Sequence, residues 1–453
     1  MYKRNDFARR SFSVLGAAKS GVAAANVLAR LGADVLLSDR KSESELQSVM
    51  SQLDERVKVA AGRNEVREGD VVVISPGVAP TSTAFVEAQK LGSAVWSEVE
   101  LFYQLCPAPI VAITGTDGKS TTTELIAHLL RVANPDVVVG GNIGNPLCGE
   151  LDRLSGTSIV VAEISCFQLV TIDRFRPYVA VFTNIADDHA YYHGSHEAYQ
   201  AAKRRLYENM RAEDYLVLNL DDPAIAGWTI DVPARRVPYG VRQPYAGGLY
   251  FKNDKFVSDF EGSSTVIATR SDLPLPGAHN VENALAALAV TRIFGLEIDR
   301  VRTQMRTFRG LPHRIERVGS IDGVGYVNDS KATNPHSVVA ALESSEGPLI
   351  LLAGGADKNT DFAELATVIA ERVRLAILFG ETKEKLRLAI GGRVPTQLVD
   401  DLRAAVQLAH SQAAEGDTVL LSPACSSFDQ FKSFEHRGEC FVEYVRALGM
   451  LGN

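Results

Sequence analysis

Long apolar runs are missing from this chain. None approaches the ~20 residues that cross a bilayer, and stretches such as Leu349 to Ala353 are strand-sized. A membrane-spanning helix is therefore not expected. A basic excess is missing too: Lys+Arg 47 against Asp+Glu 55 gives a net charge of −8. Nucleic-acid binders usually carry the opposite sign, so no nucleic-acid partner is expected. Cysteine is sparse, with five residues at 106, 148, 166, 425 and 440 and no CxxC pair. That argues against a disulfide framework or a zinc site and fits a reducing compartment. There is no repeat, no low-complexity tract and no feature that calls for an obligate protein partner.

What is present reads as a large globular chain. Hydrophobic residues make up 46% and charged residues 23% of 453, which suggests about three domains. Arg9-Arg10-Ser11-Phe12-Ser13-Val14-Leu15 imitates a twin-arginine export signal. Lys19 breaks the following apolar stretch, and Asp34 and Asp39 close what reads as strand–helix–strand. Export is thus not expected, and the reading is cytoplasmic.

Strand and helix signals alternate along the whole length, so the fold class is α/β. Strands are expected at Ser11–Leu15, 34–38 and 71–75, with a helix at 22–31 ended by Gly32. This is a Rossmann-like half-unit. Cys106-Pro-Ala-Pro109 reads as a linker, because two prolines suit neither a helix nor a central strand. A second βα unit begins at Ile110, with strands at 159–162, Val179–Phe182 and 215–218. Residues 230–270, rich in Gly, Tyr and Phe, suggest a β insertion, and 281–294 an Ala/Leu helix. Gly310-Leu-Pro312 marks a second boundary, followed by a third α/β unit with strands at 325–328, 349–353, 375–379 and Thr418–Leu421. The expected domains are 1–106, 107–310 and 311–453.

The strongest local signal is Ile110-Val-Ala-Ile-Thr-Gly115-Thr116-Asp117-Gly118-Lys119-Ser120-Thr121. A strand runs into a glycine turn, and Lys-Ser opens a helix. Glycines let backbone N–H groups approach phosphate oxygens, and the helix N-terminus adds positive potential. Lys119 is placed to reach terminal phosphates and Ser120 to hold Mg²⁺. The spacing Gly-x-x-Gly-Lys-Ser is two residues shorter than the common phosphate loop. Glu163 ends the strand that follows, where a Mg²⁺ ligand belongs. Taken alone, such a Glu is more often a surface residue.

The loop resembles that of the Mur ligase family, usually Thr-Gly-Thr-Asn-Gly-Lys-Ser/Thr; Asp117 stands where the family has Asn. Further strings carry the resemblance over nearly the whole chain. Glu163-Ile-Ser165-Cys166-Phe-Gln168-Leu169 resembles the string of the branch that adds D-glutamate, with Cys166 for a second Ser. Thr183-Asn-Ile-Ala-Asp-Asp-His189 contains the His that lies at a second metal in the family, with Asp188 beside it. Tyr192 stands where the family commonly has Arg. By itself Lys203 is a lysine on an amphipathic helix, solvated by default. The resemblance implies instead a lysine carbamylated by CO₂ that serves the second Mg²⁺. His279-Asn280-Val-Glu-Asn283-Ala-Leu-Ala-Ala287 resembles the adenine-side motif, although Asn is also a good helix cap.

The remaining strings lie at the two ends of the chain. Leu311-Pro-His-Arg314 and Asn328-Asp329-Ser-Lys331-Ala-Thr333-Asn334 resemble segments whose Arg reaches the ATP phosphates, whose Asp takes the ribose and whose Lys steadies the reacting carboxyl and phosphate. Ser422-Pro-Ala-Cys-Ser-Ser427-Phe-Asp-Gln-Phe-Lys-Ser-Phe434 resembles the D-glutamate-adding branch, implying that Thr333, Lys358, Ser427 and Phe434 surround the D-glutamate carboxylates. For the UDP-linked substrate the implied residues are Ser20, Asp39, Arg40, Gly77, Asn142, Ser165 and Gln168. Gly16-x-x-x-Ser20-Gly21 has Ala18 in place of the middle glycine, a weak dinucleotide fingerprint.

The implied enzyme is an ATP-dependent amide ligase working through an acyl phosphate. Its implied substrates are UDP-N-acetylmuramoyl-L-alanine and D-glutamate. Lys119, Lys203, His189 and Lys331 are implied in catalysis, and Ser120, Glu163, His189 and Lys203 at two Mg²⁺ ions. A dehydrogenase would leave Gly115–Ser120 and Asp329–Thr333 unexplained. A phosphate-loop motor predicts ATP hydrolysis stimulated by a macromolecule, without an amino acid. A folylpolyglutamate-type ligase is the closer rival.

Overall fold

The computed structural model describes residues 4–186, 190–345, 347–357 and 360–451. It forms two compact units, Met1–Phe308 and Arg309–Asn453.

The first unit holds two sheets. The N-terminal one is parallel throughout, in the order Lys58–Ala61, Asp34–Asp39, Ser11–Leu15, Val71–Ile74, Val95–Ser97. Its strand order reverses between Ser11–Leu15 and Val71–Ile74, so a crevice opens beyond their C-terminal ends. The helix Lys19–Arg30 starts earlier than the sequence predicts, inside the expected turn, because its first two residues are polar and carry no apolar periodicity. Gly32 follows its cap Leu31 with φ +84.

The second sheet has nine strands. It runs Thr265–Thr269, Lys255–Ser258, Leu249–Lys252, Arg235–Gly240, Tyr215–Asn219, Val179–Phe182, Ile110–Thr114, Ile159–Glu163, Val137–Gly141. Six of its eight pairings are parallel, and the two made by Lys255–Ser258, with Leu249–Lys252 and Thr265–Thr269, are antiparallel. The expected β insertion at 230–270 is thus continuous with the central sheet. Strands such as Ile110–Thr114 are buried at every residue, as a sheet covered on both faces requires. The helices Lys119–Leu130 and Ala278–Ile293 cover one face, around Val111, Ile113, Leu125, Leu285 and Leu288. The other face shares a core with the N-terminal sheet through Ala112, Ala162, Leu147 and Phe102.

The second unit has a six-stranded sheet, in the order Glu316–Ile321, Val324–Asn328, Thr418–Leu421, Leu349–Gly354, Val373–Phe379, Thr396–Leu398. Only its edge hairpin is antiparallel. Cores around Leu351 and Leu378 on one face and Ile350 and Ile377 on the other sandwich it between helices. Among the described residues no helix is long and apolar enough to cross a membrane.

Candidate active site

The phosphate loop sits where its strand dictates. Ile110–Thr114 lies between Ile159–Glu163 and Val179–Phe182, so the turn after Thr114 emerges beside Glu163 on one side and Thr183 on the other. Gly118 caps the helix Lys119–Leu130 with φ +77, and a Cβ there would lie 2.4 Å from Asn283 Oδ1. A Cβ on Gly115, at φ +152, would lie 1.9 Å from Thr183 Oγ1. Glycine is needed at both for conformation and for space. The Asp117 main chain is held on both sides: its N–H donates to Asn184 Oδ1 (2.8 Å) and its carbonyl accepts from Thr183 Oγ1 (2.7 Å). Its side chain is exposed.

Two lysines converge on this turn. Lys119 Nζ donates to the carbonyls of Gly115 (3.0 Å) and Thr116 (2.6 Å). Lys203 Nζ donates to the same Gly115 carbonyl at 2.6 Å. Lys203 is 2% exposed, so it is not the solvated helix lysine that composition suggests. Its ammonium lies 4.6 Å from the Tyr199 ring centroid, and Tyr199 shares a hydrogen bond with Thr116 Oγ1 (2.9 Å). Tyr199 went unnoticed in the sequence, although an aromatic residue four positions before a lysine shares its helix face. Two cations thus meet at the phosphate-loop turn, which suits an anionic ligand there.

Glu163 is buried. Its Oε1 accepts from Asn142 Nδ2 (2.7 Å), while Oε2 has no partner among the described residues. A buried, half-satisfied carboxylate beside a phosphate loop fits a hard divalent cation, so Glu163 is suited to Mg²⁺. Among the described residues no cluster of three His, Cys, Asp or Glu side chains could hold a metal. Asp188 and His189 lie outside the described residues, as does Lys358.

Other predicted residues are engaged with protein groups. Asn283 Oδ1 accepts from Thr122 Oγ1 and its Nδ2 donates to Asn280 Oδ1, both at 3.1 Å, so Asn283 braces the phosphate loop. Asn280 is inside the helix that Gly277 caps, and donates to the Pro276 carbonyl (2.6 Å). Ser165 and Gln168 form a reciprocal capping box and are buried. Asp39 accepts the N–H groups of Ala17 (2.7 Å) and Lys41 (2.9 Å), tying two loop ends at the crevice of the N-terminal sheet. Ser20 is half-buried there, and Arg40 and Gly77 are exposed.

In the second unit, Asp329 is buried. It accepts from Ser422 Oγ (2.7 Å) and the Ile315 N–H (3.3 Å). Burial pushes its carboxyl up to about 7, against the opposing effects of Ser422 and Arg314. Arg314 itself is exposed. Three non-glycine residues adopt left-handed backbone nearby: His313 (φ 62), Ile315 (φ 45) and Ala424 (φ 62). Such conformations cost about 1–3 kcal/mol each and persist where surroundings over-determine them. Each is pinned to the 329–332 segment. His313 accepts from the Lys331 N–H (2.9 Å), the Ile315 N–H donates to Asp329, and the Ala424 N–H donates to the Ala332 carbonyl (3.0 Å). Thr333 is half-buried, Ser427 is buried, and the Phe434 ring lies 6.5 Å from His313.

Arg437 is a residue the sequence reading missed. It is 0% exposed, and its guanidinium donates to Ser330 Oγ and carbonyl (both 2.9 Å) and to the Cys425 carbonyl (3.1 Å). It thereby clamps the Asp329–Lys331 and Cys425–Ser427 segments together. Arg437→Met should destabilise the protein by about 2–4 kcal/mol, since it orphans buried carbonyls. The check is denaturant unfolding; a change below about 1 kcal/mol would contradict the clamp.

A strand, a glycine turn with converging lysines and a helix, set in an α/β framework of three mainly parallel sheets, define a phosphate-loop nucleotide-binding protein. Residues 113–291 match the Mur ligase middle domain and 313–425 the Mur ligase glutamate ligase domain. The chain belongs to the Mur ligase family. It is 43% identical to the UDP-N-acetylmuramoylalanine–D-glutamate ligase of Geotalea uraniireducens (strain Rf4), covering 96% of this chain and 97% of that one. The enzyme of the same name from Pelotomaculum thermopropionicum is 40% identical, over 98% and 99%. In fold the chain is similar to the UDP-N-acetylmuramate-alanine ligase of Thermotoga maritima (TM-score 0.59, 18% identity, 97% and 99% covered). The MurF ligase of that organism, solved in complex with ADP, is similar as well (TM-score 0.58, 17% identity, 98% and 99% covered).

Proposed function

We propose that the protein joins D-glutamate to UDP-N-acetylmuramoyl-L-alanine at the expense of ATP, a cytoplasmic step in peptidoglycan precursor synthesis. The observation that carries the chemistry is the convergence of Lys119 and Lys203 on the Gly115 carbonyl, next to the half-satisfied Glu163. Full-length identity to enzymes named for this reaction supports the substrates.

ATP phosphorylates the terminal carboxylate of the nucleotide-linked substrate. The D-glutamate amine attacks the acyl phosphate, and phosphate leaves. Gly115 to Thr121 bind the phosphates, and Lys119 neutralises charge that grows on them. Asn280 and Asn283 serve the base side. Ser120, Glu163, His189 and Lys203 would hold two Mg²⁺ ions, Lys203 as its carbamate. The metals would neutralise phosphate charge and align the carboxylate. Residues 1–106 take the UDP end through Ser20, Asp39, Arg40 and Gly77, aided by Asn142, Ser165 and Gln168. Residues 311–453 supply Arg314, Asp329 and Lys331 to the nucleotide and the reacting carboxylate. Thr333, Lys358, Ser427 and Phe434 take D-glutamate, whose two carboxylates suit lysine and hydroxyl donors.

The test is phosphate release with ATP, UDP-N-acetylmuramoyl-L-alanine and D-glutamate, omitting each in turn. All three should be required, and L-glutamate, lysine or diaminopimelate should not replace D-glutamate. Equal release without the amino acid would overturn the proposal.

A further inference from the structure

Another buried carboxyl lies away from the groups assigned above. Glu98 opens the helix Glu98–Leu105 and is 1% exposed. Its Oε1 accepts the Cys148 N–H at 2.5 Å, and its own carbonyl accepts the Cys148 S–H at 3.5 Å. Its Oε2 is buried without a partner among the described residues. Glu98 therefore holds Cys148 at two points while remaining half-satisfied itself.

Cys148 belongs to the short helix Leu147–Glu150, which directly follows the turn carrying Asn142. That turn is closed by the Gly141 N–H on the Asn145 carbonyl (3.0 Å), and Asn145 Nδ2 donates to Glu150 Oε1 (2.7 Å). At its other end Asn142 donates twice to Glu163, from its side chain to Oε1 (2.7 Å) and from its N–H to the carbonyl (2.8 Å). The turn is thus strung between two buried carboxyls. A helix of one turn has little stability of its own, so what fixes it must come from its neighbours.

We propose that Glu98 is a positioning residue, which sets Asn142 against Glu163 by gripping Cys148. This rests on the roles given above to Asn142 and Glu163. Burial pushes the Glu98 carboxyl up to about 7, opposed by its bonds from Cys148. Among the described residues no ion pair is made to Glu98: Arg30 pairs with Asp152, Glu150 with Arg153, and Glu100 accepts the N–H groups of Asp173, Arg174 and Phe175. Lys19 is exposed, Cys166 is buried, and the thiol of Cys148 is the titratable group that faces Glu98. Above neutral pH a carboxylate with no counter-charge in this cage favours any movement of the turn that solvates it.

Glu98→Ala should raise KM for UDP-N-acetylmuramoyl-L-alanine by about tenfold or more, with a smaller change in kcat. Glu98→Gln keeps the acceptor and should match the parent at pH 6, but lose an ionisation near pH 7 from the kcat/KM profile. Wild-type KM in Glu98→Ala overturns the proposal. If that variant does not fold, an unchanged pH profile in Glu98→Gln overturns it. Glu163→Ala separates the two levels: full activity there defeats the role of Glu163. An inactive Glu163→Ala beside an unaffected Glu98→Ala defeats only the role of Glu98.

Discussion

Lys119→Ala is expected to lose about a thousandfold or more of kcat while keeping its fold. The ammonium is placed by three things: the helix start at Lys119, the left-handed Gly118, and the Gly115 and Thr116 carbonyls that accept its hydrogen bonds. In phosphoryl transfer negative charge spreads over the migrating group, and a fixed cation beside it is worth more than in water because the site needs no reorganisation. A thousandfold is about 4 kcal/mol of barrier. Lys119→Arg should recover little, since a planar fork cannot replace a compact charge inside so tight a turn. Steady-state kinetics and circular dichroism on the same preparations make the check. Turnover near the parent value would remove Lys119 from the chemistry.

The second large effect is at Lys203. Lys203→Ala should lower kcat by about a hundredfold or more. Short carboxylic acids such as formate or acetate should restore part of it. Lys203 and Lys119 donate to one carbonyl, an arrangement two ammonium groups resist. A carbamate at Lys203 would turn repulsion into attraction and supply oxygen ligands of the kind Mg²⁺ takes. A small carboxylate that enters the space left by the deleted side chain would mimic it. Labelled bicarbonate should give a carbamate carbon signal in the parent protein that disappears in the variant. Undiminished activity together with no response to acids would reject the carbamate.

The fold was legible because its signals are local. Val179–Phe182 and Leu349–Gly354 are continuous runs without a polar side chain, and parallel strands buried on both faces read that way. The phosphate loop was legible for the same reason, since strand, turn and helix are consecutive. What could not be read depends on residues far apart in the chain. Lys203 looks solvated until the Gly115 carbonyl is known to lie over it. Nothing near Asn283 in the sequence shows that it also packs against Gly118 and braces the phosphate loop. Arg437 resembles any helical arginine, and only the tertiary fold delivers two backbone segments to its guanidinium. Glu98 carries no sign in its own neighbourhood that its partner is Cys148.

The strand order of the central sheet also governs how the molecule is made. Ile110–Thr114 emerges from the ribosome before either strand that flanks it, Ile159–Glu163 or Val179–Phe182. Until residue 163 has been synthesised this wholly buried strand has both edges open, until residue 182 one edge is still open, and until residue 283 its glycine turn lacks the asparagine that braces it. Unpaired apolar edges invite association with other nascent chains, and parallel pairings over long separations form slowly. The segment most committed to chemistry is therefore among those longest exposed during synthesis. Its dependence on chaperones and on translation rate should exceed that of the edge hairpin 316–328, whose partner strands are adjacent in sequence.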